Sequence, residues 1–282
     1  MRPLFADAEL ASRLEGFAAR ENERLVAAAR TIDPDSSATS MRIAGGSAVF
    51  VGGDGAMNHA AGLGFSGPVR PSDIDDIEAF YSSRGLAARV SVCPLADPSV
   101  WLELSRRGYQ LTGFENVLVL VLAEETAPGA CDDHVTIREA GPDMLPSWAE
   151  SVAAGFAAPA EPTEQERAVA TLAAHEPGAL LYLAYVDGKP VGTGELTIDG
   201  EIGWLSADTT LPPFRGRGIQ SAMQRRRIAL ARAAGCELAV TESSPGSASQ
   251  RNMERLGFRV VYTRVNMTQW EPVKHRAHRL RD

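Results

Sequence analysis

Cysteine is scarce. Cys93, Cys131 and Cys236 lie far apart, match no metal-ligand spacing and cannot make a disulfide framework. They read as small buried hydrophobes in a reducing compartment. Long apolar runs are missing too, and no segment approaches the ~18 apolar residues of a membrane span. The opening MRPLFADAELASRLEG has acids where a secretory signal needs an unbroken apolar core. Lysine is absent from the first 130 residues, where 11 arginines face 17 acids for a net of −6. These absences exclude the fibrous, secreted-disulfide, membrane and disordered classes. A soluble cytoplasmic protein is expected.

What is present is a globular composition: 282 residues, 44% apolar and 23% charged. At ~150 residues per domain this suits two compact domains or one large one. The formal charge of −8 is uneven. Residues 131–282 hold 17 bases against 19 acids, yet 209–259 hold nine arginines and only Glu237, Glu242 and Glu254. An acidic chain thus carries a basic island of +6. The overall balance argues against a nucleic-acid partner, and the island argues for a compact anionic ligand.

The hydrophobic pattern predicts a helix over 4–30, a strand at RIAGGSAVFVG and a glycine-rich turn after it. A helix at SDIDDIEAFYSSRG, a strand at LAARVSVCP, a helix at PSVWLELSRRG and a strand at ENVLVLVL follow. The polar stretch near 123–133 is the expected boundary, giving segments 1–125 and 134–270 with a basic tail at 271–282. The second segment reads strand, two helices, three strands, helix, strand, helix, strand. Asp187-Gly188 and Asp199-Gly200 are hairpin turns between its three strands. The fold class is α/β with a mixed central sheet.

One window carries chemistry: Leu211-Pro212-Pro213-Phe214-Arg215-Gly216-Arg217-Gly218-Ile219-Gln220-Ser221. A strand runs in and a helix runs out. The two glycines let backbone N–H groups turn toward an anion at the positive helix end. Arg215 and Arg217 add forked donors suited to a pyrophosphate. The Gly-Lys-Ser/Thr of a P-loop is absent, and Ser221 stands where a dinucleotide fingerprint needs its third glycine.

Arg215-Gly216-Arg217-Gly218-Ile219-Gln220 resembles the acyl-CoA loop of the GNAT superfamily of N-acetyltransferases, Gln/Arg-x-x-Gly-x-Gly/Ala, with Gln220 departing at the last position. The element order of 134–270 and the segment SASQRNMERLGF are also similar to that family. The first half is similar in a weaker way: Arg106-Arg107-Gly108-Tyr109 parallels Arg255-Leu256-Gly257-Phe258, but no such loop occurs before residue 130. It reads as a smaller, degenerate GNAT-like half, or as an unrelated α/β cap.

The resemblance implies acetyl-CoA as cosubstrate, no metal, and an amine acceptor on a small molecule or protein. An alkylamine of pKa near 10.4 is neutral in only about one molecule in 2,500 at pH 7, so transfer to it needs a base. The carbonyl needs a donor, which the family takes from backbone on the fourth strand; Thr209 and Thr210 are the matching positions. For the base, Glu201 matches the family's strand-opening position, with Glu195, Glu242 and Asp208 as rivals left unranked. The family's tyrosine acid falls on Met253, so the thiolate, of pKa near 8.5, leaves unassisted or another group serves. Asn252 beside it can bond the cosubstrate arm, and Tyr262 reads as core. Arg225-Arg226-Arg227 is either a solvated face or a phosphate contact. Trp148, Phe156 and Trp204 are either core or acceptor-pocket walls. His275 and His278 lack neighbouring ligands for a metal. A homodimer is allowed but not specified. Two functions stand: an N-acetyltransferase, and a non-catalytic acyl-CoA sensor or partner-binding module.

Overall fold

In the computed structural model, which describes residues 5–122 and 135–270, the chain opens with helix α1 (Ala8–Ile32). Asp7 caps it, accepting from the Leu10 N–H at 2.9 Å. Leu10, Leu14, Phe17 and Leu25 recur on its buried face. The expected single strand at 42–52 is instead a hairpin, β1 (Thr39–Ile43) and β2 (Gly46–Phe50). Its turn puts Ala44 at φ 49° and Gly45 at φ 86°, the left-handed pair that matches strand twist. Alanine in the first turn position hid the signal. Then follow β3 (Ala60–Ala61), α2 (Pro71–Ser82), β4 (Arg89–Val92), α3 (Ser99–Arg106) and β5 (Gln110–Val121). The boundary expected at 123–133, Cys131 and the basic tail at 271–282 lie outside the described residues.

The second half follows the expected order: β6 (Thr136–Glu139), α4 (Leu145–Ala157), α5 (Glu164–Ala174), β7 (Ala179–Val186), β8 (Lys189–Asp199) and β9 (Ile202–Thr210). It closes with α6 (Ile219–Ala233), β10 (Leu238–Ser243), α7 (Ala248–Arg255) and β11 (Arg259–Thr268). Thr163 and Glu166 form a reciprocal capping box at the start of α5.

All eleven strands join one mixed sheet, ordered β1-β2-β3-β4-β11-β5-β10-β9-β8-β7-β6. The last strand of each half is inserted into the other half. β11 lies between β4 and β5, and β5 lies between β11 and β10. The two halves therefore share backbone hydrogen bonds rather than closing separately.

The core is shared as well. Helix α1 of the first half lays Phe17 flat on Trp204 of β9, ring centroids 4.4 Å apart. Beneath it, Glu15 accepts from Arg264 Nε at 2.7 Å and from the Tyr262 hydroxyl at 2.8 Å, both on β11. Glu15 and Arg264 side chains are 1% and 4% exposed. Removing Glu15 strips Arg264 Nε and the Tyr262 hydroxyl of their buried acceptor, leaving Arg264 only the half-buried Glu242 and Glu115. Glu15→Ala should lower unfolding free energy by about 3–5 kcal/mol in urea titrations. Glu23→Ala, at the exposed pair with Arg42, should change it by about 1 kcal/mol or less.

Candidate functional site

The site begins as a defect in β9. Pairing with β8 runs Thr193↔Thr209, then resumes at Glu195↔Ser206, so Ala207 and Asp208 together face Gly194. Ala207 sits at φ 52°, the left-handed backbone of a bulge. Arg227 of α6 clamps it, donating from Nη1 to the Ser206 carbonyl at 3.0 Å and the Glu195 carbonyl at 2.6 Å. Its Nη2 bonds the Asp208 carboxylate. Gly194 is needed there, because an added Cβ would fall 2.8 Å from the Arg227 guanidinium carbon.

Past the bulge the sheet opens. β10 follows β9 only from Leu238↔Ile202 to Thr241↔Leu205, while it stays with β5 to Ser243↔Asn116. Residues 206–210 of β9 thus have no sheet partner on that side among the described residues. A cavity of about 510 Å³ occupies this end, lined by Asp208, Thr209, Thr210, Arg215, Gly216, Gly218, Ile219, Gln220, Ser221 and Asn252, among others.

Gly216 and Gly218 both adopt φ 76°, a backbone that side-chain-bearing residues rarely take. Gly218 starts α6 without a side-chain cap, so the first-turn N–H groups stay open toward an anion. Arg217 reaches out over the Phe214 ring at 5.3 Å. Arg215 differs from the expected free anion ligand. Its guanidinium donates to the Thr210 carbonyl at 2.9 Å and the Gly155 carbonyl at 3.1 Å, tying the loop to β9 and α4. Leu211 donates its N–H to Val191 at 2.9 Å, and the Ile219 side chain is buried core. Gln220 accepts from Asn252 Nδ2 at 2.7 Å, which explains the departure from a small residue: it bridges α6 to α7.

The other face of β9 carries a second cavity of about 380 Å³, whose walls include Glu21, Met57, Val152, Phe156, Glu176, Glu195, Ser206 and Ala207. Both halves build it, α1 giving Glu21 and the β2–β3 loop giving Met57. Burial pushes Glu195 up to about 8, with help from the neighbouring Glu176 carboxylate. Thr197 donates to it at 3.3 Å. Burial also raises Glu21 and Glu176, although Arg24 donates to Glu176 at 2.6 Å.

The four carboxylates of the sequence reading separate here. Glu201 is displaced from the site: it precedes β9, about 30 Å of extended strand from Thr210, and pairs with Arg13 in solvent. Glu242 lies at the β10 opening but is held by Arg264. Asp208 is held by Arg227, and burial raises its carboxyl. Glu195 alone of the four borders the second cavity. Met253 is 1% exposed in the core behind α7, away from the opening, and Tyr262 donates to Glu15. Phe156 is exposed at the cavity wall, whereas Trp148 and Trp204 are core. Arg225 and Arg226 are solvated, but Arg227 is fully buried, against both sequence readings of that triplet. A signal existed: Ile219, Met223, Arg227 and Ala231 form one buried stripe at helical spacing.

Residues 145–258 match the family model described as Acetyltransferase (GNAT) family. They form a GNAT acetyltransferase domain. No curated protein matches the sequence. Among solved structures, the chain is similar to a GCN5-related N-acetyltransferase from Kribbella flavida, with a TM-score of 0.64 and 18% identity over 91% of this chain and 97% of that one. A functionally unknown conserved protein from Staphylococcus epidermidis aligns over 85% and 96% at 14% identity and TM-score 0.56. A GCN5-related N-acetyltransferase from Sphaerobacter thermophilus aligns over 65% and 59% at 20% identity and TM-score 0.52. At these identities the likeness is one of fold, and it extends through the first half as well as the GNAT domain. No helix among the described residues is long and apolar enough to cross a membrane.

GNAT proteins generally use acetyl-CoA, and the opening has the features to hold it. The uncapped start of α6 suits the pyrophosphate, and the unpaired edge of β9 suits an amide-bearing arm. Thr210 Oγ1 is buried without a partner at the same place. The geometry rests on Arg227, so Arg227→Met, which leaves Asp208 buried without its cation, should cost about 3–5 kcal/mol in chemical denaturation.

Proposed function

We propose that the protein is an acetyl-CoA-dependent N-acetyltransferase that transfers directly to the primary amine of a cationic acceptor, with Glu195 as base. The observation that carries this is the pair of cavities meeting at one bulge. Ser206 and Ala207 border the carboxylate-lined cavity, and Asp208, Thr209 and Thr210 border the loop cavity.

Bound in the loop cavity, acetyl-CoA supplies an activated acyl group as a thioester. The chain's own groups do the rest. Open N–H groups of 216–221 with Arg217 hold phosphates, and the free edge of β9 past the bulge offers backbone N–H donors where negative charge develops on the carbonyl. Glu21, once ionised, attracts the cationic acceptor, while Glu176 is already answered by Arg24. Glu195 Oε takes a proton from the amine as it attacks, directly or through one water. A carboxyl near 8 is well matched to an amine near 10.4, because it holds the proton it receives. A thiol of pKa near 8.5 needs little help to leave, so the buried Met253 is no obstacle.

Met253 does favour a second reading, a binding module without turnover. Titrating the protein with acetyl-CoA and then following free thiol across an amine panel separates the two. Thiol release dependent on an amine supports the transferase; binding without release supports the module; no binding rejects both. Arg217→Glu and Gly218→Asp, placing negative charge at the phosphate end, should each weaken acetyl-CoA binding more than tenfold, ~1.4 kcal/mol or more, by calorimetry.

Glu195→Gln should lower kcat by about 10²–10⁴-fold while leaving acetyl-CoA affinity unchanged. In the native enzyme kcat/KM should rise with pH and level off above about 8, since only ionised Glu195 accepts a proton. A flat profile from pH 6 to 9 would remove Glu195 from this role.

A further inference from the structure

The second cavity adjoins a third, of about 770 Å³, between α5, the end of α1 and the β2–β3 loop. Met57, Gln165 and Val169 line both, so the two are chambers on either side of one partition. Helix α1 lines both as well. Glu21 and Leu25 border the second cavity, Ala29 and Ile32 the third. Steps of four, four and three residues keep this stripe on one helix face. At about 1.5 Å of rise per residue, it runs about 16 Å from Glu21 to Ile32.

The two ends differ in chemistry. Glu195 stands with Glu21 in the second cavity. In the third, Val51, Ala168, Val169 and Leu172 join Ile32, which is 45% exposed. The acids that border this chamber have local partners or places. Asp54 pairs with Arg89, Asp33 accepts from the Asp35 N–H at 3.0 Å, and Glu164 sits in the first turn of α5, where the helix favours a carboxylate. The apolar wall has no such explanation.

The partition is built from the first half and held in place. Buried Asn58 accepts from the Val51 N–H at 2.9 Å and donates to the Gly53 carbonyl at 2.8 Å. Gln165 of α5 donates to the Asp54 carbonyl and Arg89 of β4 to the Gly55 carbonyl, each at 2.8 Å. Met57 stands at the join, and its unbranched side chain adapts to what passes it.

We infer that the third cavity holds the body of the acceptor, which is therefore a primary amine on a long apolar chain. The ammonium lies by Glu21 and Glu195, and the chain runs along α1 past Met57. The assignment rests on the transferase reading above and narrows its substrate class. It also gives the first half a task in choosing the acceptor, because α1 and the β2–β3 loop form the wall opposite α5.

The test compares propylamine, which ends within the second cavity, with octylamine, which extends into the third. With acetyl-CoA saturating and free thiol as readout, kcat/KM for octylamine should exceed that for propylamine at least tenfold, ~1.4 kcal/mol, as its further methylenes leave water. Ala168→Phe fills the third cavity from an exposed helix position, and Ile32→Asn makes its far end polar. Neither residue borders the second cavity or the loop cavity. Ala168→Phe should lower kcat/KM for octylamine at least fivefold through KM, with kcat, the propylamine value and the melting temperature near wild type. Ile32→Asn should act in the same direction. Octylamine used no better than propylamine overturns the assignment while the transferase reading stands. An octylamine preference that survives both variants also overturns it, since the chain then lies elsewhere. Thiol release with neither amine rejects the transferase reading, and this assignment with it.

Discussion

A β-strand has two edges, and β10 spends one of them along its whole length on β5. From Leu238↔Val121 to Ser243↔Asn116 the pairing is continuous, so β10 follows the path of a strand supplied by the first half. β9 keeps company only as far as Leu205, then bulges and departs. Buried backbone N–H and C=O groups must find partners, so an opening between two strands is stable only if something fills it. The first half therefore contributes to the site without carrying a phosphate loop of its own. It fixes where β10 goes, and the GNAT domain alone would lack the strand that holds the opening.

The opening is kept in shape by a single buried cation. Arg227 reaches past Gly194 to two carbonyls and a carboxylate, on both sides of the bulge. Lysine could supply the charge but not this fork, whose donors diverge in one plane. Because Arg227 belongs to the helix that begins at Gly218, the anion end, the bulge and the backbone of Glu195 move as one unit. A small shift of α6 is therefore transmitted to Glu195 through the Arg227 bond to its carbonyl.

The local features of this site were legible in the sequence, and the long-range ones were not. Gly216 and Gly218 betray their left-handed backbone by being glycines between arginines after a strand. Asp187-Gly188 and Asp199-Gly200 announce their hairpins in the same way. Glu201 matches a family pattern by position, yet strand β9 separates it from the opening at Thr210. Arg227 belongs to a charged triplet in the sequence, whereas its spacing from Ile219 and Met223 places it inward. Nothing in the residues of β5 says that it pairs with β10 rather than with its own half. Sheet partners are chosen over distances of more than a hundred residues, as β5 and β10 are here. The acidic walls of the second cavity share that limit, since Glu21, Glu176 and Glu195 meet only once both halves have interleaved.

The charge pattern then acquires a spatial meaning. The arginine island lies around α6 and α7, on one face of the sheet, and the buried carboxylates crowd under α1, on the other. There Arg24 and Arg264 answer Glu176, Glu15 and Glu242, while Glu21 has no hydrogen-bonded cation among the described residues. Crowded carboxyls relieve this by holding protons: the half-buried Glu115, beside Glu242, is pushed up to about 7 and the buried Glu195 to about 8, both above the ordinary 4.5. Between those values the native state binds more protons than the unfolded chain, so stability present at low pH is lost as pH rises toward 8. A bound cation reverses that trend, because it stabilises the ionised carboxylates that the empty cavity resists. An alkylamine keeps its charge until about 10.4, so from roughly pH 8 to 10 the cavity and the proposed acceptor are oppositely charged. On the transferase proposal, the cavity carboxyl Glu195 that destabilises the free protein in that range also draws the acceptor in.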